Sequence, residues 1–299
     1  MLNLFPNEVA MAINVLNKNI KQIFLTDSSG TKKEVAAAFY GSTVVYAKRF
    51  SQTFFDNATF TIPVGVTNFN IECVAGQGRS FEYGDYKAIG GFGGSIRVHV
   101  TNIAPQTVLW LRVGKQYTSE TSNRNDSLVY LNNNEYNSIV HAGGGGSASN
   151  PVWIRLKVAH GGAGGGLVGG VGTADAPKSN IPSQGGSQEG GGDGPYVYYR
   201  NVWSYDGRAT NKGSRFYGGS AAYFEPDKLA GGYRTGCGGG GYYGGGGGLI
   251  KFYYNSSSEY ETWAVGGGGG SSYYNANYCT LLENIQGAMA GNGYIRIYN

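Results

Sequence analysis

The chain has 299 residues, a formal net charge of +4, 53 glycines and three cysteines. That length allows one large domain or two to three modest ones with a buried core. No basic cluster forms a nucleic-acid patch: residues 1–50 carry six Lys or Arg against three acids, and no run of about 18 apolar residues is present to span a membrane.

From the start of the chain, "MLNLFPNEVAMAINVLNKN" lacks a basic start, an apolar core and a cleavage site, so no signal peptide is expected and assembly in a cytoplasm is. Asn7 caps an expected short helix that places Val9, Ile13, Leu16 and Ile20 at helical spacing. "IKQIFLTDSSGTKKEVAAAFYGSTVVYAKRF" then reads as short strands broken by Asp27 to Gly30 and by Gly41-Ser42. From Phe54 the strands lengthen. Phe69, Ile71 and Cys73 alternate with Asn68, Asn70 and Glu72, and Ile96, Val98 and Val100 repeat that period. "QTVLWLRVGK" alternates in two phases, burying either Val108, Trp110 and Arg112 or Leu109, Leu111 and Val113. Pro63 to Gly65 supplies a turn. Short strands without intervening helices point to an antiparallel sheet or sandwich.

Past residue 140 the composition changes, with 42 of the 53 glycines in that half. "NSIVHAGGGGS", "IRLKVAHGGAGGGLVGG" and "ETWAVGGGGGSSYYN" each run from a strand into glycines, and "GNGYIRIYN" closes the chain with a turn and a strand. A slack tether is diluted with serine and poor in aromatics. Here 15 of the 24 tyrosines fall between Tyr196 and Tyr278, so the glycines are expected to be folded. Extended polyglycine adopts a left-handed helix of three residues per turn with its N–H and C=O groups outward. Those groups require partners on neighbouring chains, which only side-chain-free neighbours approach closely enough to provide.

"FTIPVGVTNFNIECVAGQG", "GGFGGSIRVHVTNIAPQTVLWLRVGK", "SIVHAGGGGS" and the closing "GNGYIRIYN" resemble the glycine-rich domain of phage and bacterial surface proteins, to which a domain of anaplastic lymphoma kinase is related. The resemblance covers roughly residues 54–299. It implies a mainly β fold: an antiparallel β-sandwich similar to the tumour-necrosis-factor fold, with an inserted bundle of polyglycine II helices, working by binding. The chain also looks like the distal adhesins of T-even phage tail fibres, but has a strand-rich module before its glycines. "IKQIFL" and "FYGSTVVY" are similar to docking segments at the start of phage tail and fibre proteins, which gives Ile20, Ile23, Leu25, Tyr40, Val44 and Tyr46 a virion-docking role.

The expected division is a docking module over residues 1–50, sandwich strands over 51–140, and a glycine-rich domain with aromatic loops and closing strands over 141–299. The resemblance implies a phage virion protein, exposed as a tail fibre, spike or adhesin. Its partners are other virion proteins and a host surface glycan or protein, and a homotrimer is expected by analogy of fold. Tyr and Trp in polar loops give large contact area at low conformational cost. Tyr196, Tyr198, Tyr199, Trp203 and Tyr205, with Tyr253, Tyr254, Tyr260 and Trp263, are therefore the expected ligand-binding residues. The alternative is a non-adhesive collar, connector or capsid decoration protein, in which those loops face sister subunits.

No catalytic motif is read from the sequence; a degradative enzyme of the virion stays as a second rival, to be revived only by an acidic or histidine cluster assembled in three dimensions. Gly114-Lys115 lacks the hydroxyl and the preceding glycine of a phosphate loop, and no strand and helix alternation surrounds Gly76 and Gly78. His99, His141 and His160 include no short-spaced ligand pair, and a hydrogen bond to nearby backbone is the reading for His141 and His160. Asp175, Glu189 and Asp193 read as a solvated loop over a calcium site. Cys73, Cys237 and Cys279 are too few and scattered for a disulfide framework or zinc site, and read as buried free thiols. No catalytic residue, metal or cofactor is expected.

Overall fold

The computed structural model describes residues 24–26, 32–34, 37–40, 43–47, 49–83, 86–117, 124–149, 158–175, 182–195, 197–199, 202–204, 212–223, 236–254 and 260–299. The fold is mainly β, and its one helical turn among the described residues is the 3-10 turn Glu135–Asn137. The expected helix after Asn7 lies outside them.

In chain order, β1 (Phe24–Thr26) and β2 (Lys32–Glu34) form one hairpin and β3 (Ala37–Tyr40) and β4 (Thr43–Ala47) another. There follow β5 (Ser51–Phe54), β6 (Ala58–Thr61), β7 (Phe69–Val74), the pair β8 (Phe81–Tyr83) and β9 (Tyr86–Ala88), β10 (Gly93–Val100), β11 (Val108–Arg112), β12 (Ser127–Leu131) and β13 (Ser138–Ala142). The glycine-rich half adds β14 (Ala174–Asp175), β15 (Val197–Tyr199), β16 (Val202–Ser204), β17 (Ala222–Tyr223), β18 (Leu249–Tyr254), β19 (Tyr260–Val265) and β20 (Tyr273–Tyr274). The last strands are β21 (Cys279–Met289) and β22 (Tyr294–Tyr298).

Two five-stranded antiparallel sheets dominate, ordered β21-β10-β7-β22-β5 and β20-β13-β12-β11-β6. The alternation in β7 and β10 aims Phe69, Ile71, Cys73, Ile96, Val98 and Val100 inward, where they meet Ile295 and Ile297 of β22. In β11 the register selects the second phase: Leu109, Leu111 and the following Val113 are buried, while Trp110 and Arg112 are half-buried on the other face. These residues join Val129, Ile139 and Val140, so both sheets contribute to one apolar core. Fully burying a Val, Leu, Ile or Phe side chain contributes roughly 1.5–3 kcal/mol, so this core is the main stabilising body. Cys73, Cys237 and Cys279 are buried free thiols.

The glycine tracts form hydrogen bonds unlike those of a sheet. Within residues 266–270, Gly267 and Gly270 donate to Ser147 and Gly144 (both 2.9 Å), three positions apart on one neighbouring tract. Gly266 and Gly269 donate to Thr173 and Gly170 (3.0 and 2.8 Å), again three apart, and Gly268 donates to Gly246 on a third tract (2.8 Å). The carbonyls repeat the period, Gly267 accepting from Gly162 (2.8 Å) and Gly270 from Gly165 (2.9 Å). A strand bonds its neighbours within one plane; this tract bonds in several directions, and all five of its N–H groups find backbone acceptors.

The close approach requires glycine. A Cβ on Gly268 would overlap the Gln184 carbonyl, and one on Gly270 the Gly240 carbonyl. Where a tract needs a side chain, a small polar one is inserted. Buried Asn125 donates from Nδ2 to the carbonyls of Gly76 (3.0 Å) and Gly145 (2.8 Å), and its Oδ1 accepts from Gly240 N (3.1 Å). Ser149 Oγ donates to the Val265 carbonyl (2.6 Å) and accepts from Gly236 N (2.8 Å).

Candidate binding surfaces

The aromatic segments expected to be loops are strands where they are described, because Val, Tyr, Phe and Trp at short alternation favour a pleated ladder over a loop. In the pair β15 and β16, Tyr198 stands opposite Trp203 and Tyr199 opposite Val202. In β18 and β19, Tyr254 stands opposite Tyr260, Tyr253 opposite Glu261, and Lys251 opposite Trp263. Tyr196 and Tyr205 lie outside the described residues. In the N-terminal hairpins Leu25 pairs with Lys33, Val44 with Phe39, Tyr40 with Thr43 and Tyr46 with Ala38, while Ile20 and Ile23 lie outside the described residues.

Sequence reasoning missed a buried charged network. His141, read as bonding backbone, instead places Nε2 2.8 Å from Asp126 Oδ2, both side chains being fully buried. An ionised carboxylate only accepts, so Nε2 carries the proton, and the buried Nδ1 has no hydrogen-bond partner. Arg124 contacts Asp126 (3.2 Å) and Glu135 (2.7 Å), and Glu135 continues to Arg112 (3.3 Å). Burial alone would raise the Asp126 carboxyl. The hydrogen bond from His141 and the charge of Arg124 override it and hold that carboxyl well below the usual carboxylate range. Asp126 and His141 are 15 positions apart, and only the β12 and β13 register, with Leu128 opposite His141, brings them together. The "HAGGGG" junction marked the region without naming the partner.

Phe216 seals this network. Its backbone sits at φ 71°, a left-handed conformation that bulky residues rarely adopt, and its ring stacks on His141 at 5.9 Å and 23°. Next to it, the Arg215 guanidinium lies 4.9 Å from the ring centres of both Tyr136 and Tyr242. Tyr242 stacks on Tyr273 at 4.0 Å, and Tyr243 meets Tyr242 edge-on at 5.2 Å. Tyr242 and Tyr243 interrupt the glycine run of residues 236–248, so the lattice itself presents them. Tyr136 is 65% exposed and Tyr217 49% exposed, which makes this an aromatic and cationic surface open to solvent.

His160 behaves as read: its Nδ1 accepts from Ile89 N at 3.0 Å, so the two histidines share no site. Among the described residues no three His, Cys, Asp or Glu side chains gather as metal ligands, and Asp193 pairs with Lys212 at 3.0 Å. Neither protein-family models nor curated proteins give a match to the chain.

Proposed function

We propose that this chain is an exposed phage virion component in which a β-sandwich, similar to the tumour-necrosis-factor fold, carries a bundle of polyglycine II helices whose edges present aromatic side chains to a host surface glycan or protein. The observation that carries this reading is the three-residue period of the hydrogen bonds around residues 266–270. Three residues per turn with outward N–H and C=O groups is the polyproline II shape, and a side-chain-free bundle of it is a rigid base for recognition elements. The shared core of the two five-stranded sheets supports the sandwich.

On this reading residues 1–50 dock to other virion proteins, the chain assembles as a trimer, and repeated weak contacts add through avidity. The test is binding of the full chain to whole bacterial cells, beside a variant with Tyr198, Tyr199 and Trp203 all changed to Ala. Loss of cell binding with an intact fold supports an adhesin that uses β15 and β16. A wild-type chain that binds no cells sinks the adhesive reading. One observation favours the alternative of a non-adhesive structural component: the rings around Arg215 already satisfy one another.

A further inference from the structure

The outer face of the second sheet holds a groove that none of the aromatic segments above contributes to. Its volume is about 370 Å³, within the range of roughly 300–1,000 Å³ typical of small-molecule sites. The floor is a row across three strands: Thr59 of β6 stands opposite Trp110 of β11, and Trp110 opposite Tyr130 of β12. Inward alternation of Leu109 and Leu111 forces Trp110 and Arg112 outward, so the apolar core and the groove follow from one strand phase.

Polar groups ring the floor. Arg112 and Glu135 close one end at 3.3 Å, and Asn57 and Asn133 stand among the lining residues. Asn133 follows β12 at φ 50°, next to Asn132 at φ 59°, a tight turn that asparagine tolerates. Glu135 is fixed further by Arg124 at 2.7 Å, and through Arg124 by the buried Asp126 and His141. The groove thus has a preorganised polar end anchored inside the protein, which lowers the entropic cost of binding. Asn57 Oδ1 accepts from Val113 N at 2.9 Å, which orients that amide as well.

We infer that this groove is a saccharide-binding site that takes a neutral mono- or disaccharide, with a sugar ring laid on Trp110 and Tyr130 and its hydroxyls bonded by Arg112, Glu135 and Asn133. Charge complementarity selects this ligand. The paired Arg112 and Glu135 offer both donors and acceptors at no net charge, which suits hydroxyl groups. A phosphate or carboxylate would face Glu135, and a cationic ligand would face Arg112. An extended peptide could add only along the edge strand β6, beside the groove, because β11 and β12, which carry Trp110 and Tyr130, are each paired on both sides. The large aromatic faces supply the apolar contact.

This site is separate from the strands assigned to host contact, so the two are tested independently. The experiment is saturation-transfer NMR on the full chain with methyl glycosides of glucose, galactose, mannose and N-acetylglucosamine as probes. At least one glycoside should give transfer, and Trp110→Ala should weaken its binding by about tenfold or more. Thr59→Trp fills the groove from the exposed edge strand without removing a buried side chain, and should abolish binding with an unchanged thermal melt. The triple change at Tyr198, Tyr199 and Trp203 should leave this binding intact. Transfer that survives Thr59→Trp, or that disappears only in the triple variant, overturns the groove and leaves the host-contact reading standing. Absence of transfer with every probe also overturns the groove, while cell binding still judges the other reading.

Discussion

Asp126 is a fully buried carboxylate whose negative charge is retained because His141 donates to it and Arg124 lies beside it. Since its folded pKa is depressed, the stability it contributes is complete above the unfolded value of about 3.9 and is lost as pH falls from there toward the folded value. The melting temperature should therefore fall as pH drops below about 4, and Asp126→Asn should flatten that slope. At neutral pH the same change removes one partner of a buried charge pair and should destabilise by roughly 3–5 kcal/mol, measured by denaturant unfolding. The glycines give a second contrast at this scale. Gly268→Ala drives a Cβ into backbone and should cost about 3 kcal/mol or more, whereas Gly190, with open space around it and no positive φ, should accept Ala within about 0.5 kcal/mol.

Between elements, the parts legible in sequence were those governed by local periodicity. β7 and β10 alternate in sequence and in burial alike, and Pro63 to Gly65 forms a turn in which Val66 N donates to the Pro63 carbonyl. β11 was ambiguous because both phases carry large apolar residues, and its pairing with β6 and β12 decided the face. Trp110 consequently became a groove floor instead of a core residue. The aromatic segments around Tyr198 and Tyr254 looked like binding loops by composition, yet composition does not report pairing, and the ladder made them strands. Asn125 and Asp126 carried no periodic signal at all; their partners are glycine backbone and a histidine one strand away. Asn125→Ala strips the amide that ties Gly76, Gly145 and Gly240 together, leaving buried backbone groups unpaired. It should lower stability by about 2 kcal/mol or more, read as a shift in the melting midpoint.

As a whole, the molecule joins an ordinary apolar core to a second body held chiefly by backbone hydrogen bonds between glycine tracts. β10 links them: its residues Ile96, Val98 and Val100 enter the core, and its Gly94 N donates to Gly143 of the first glycine tract. A lattice in which each tract shares bonds with several others opens only as a unit, so its local stability should match that of the sheets. The most direct measurement is amide hydrogen exchange across the full chain, resolved by mass spectrometry. Residues 143–147, 236–248 and 266–270 should exchange as slowly as β7 and β10, through global unfolding. Exchange of those tracts within seconds under native conditions, while β7 and β10 stay protected, would contradict it and return the glycines to the role of a tether.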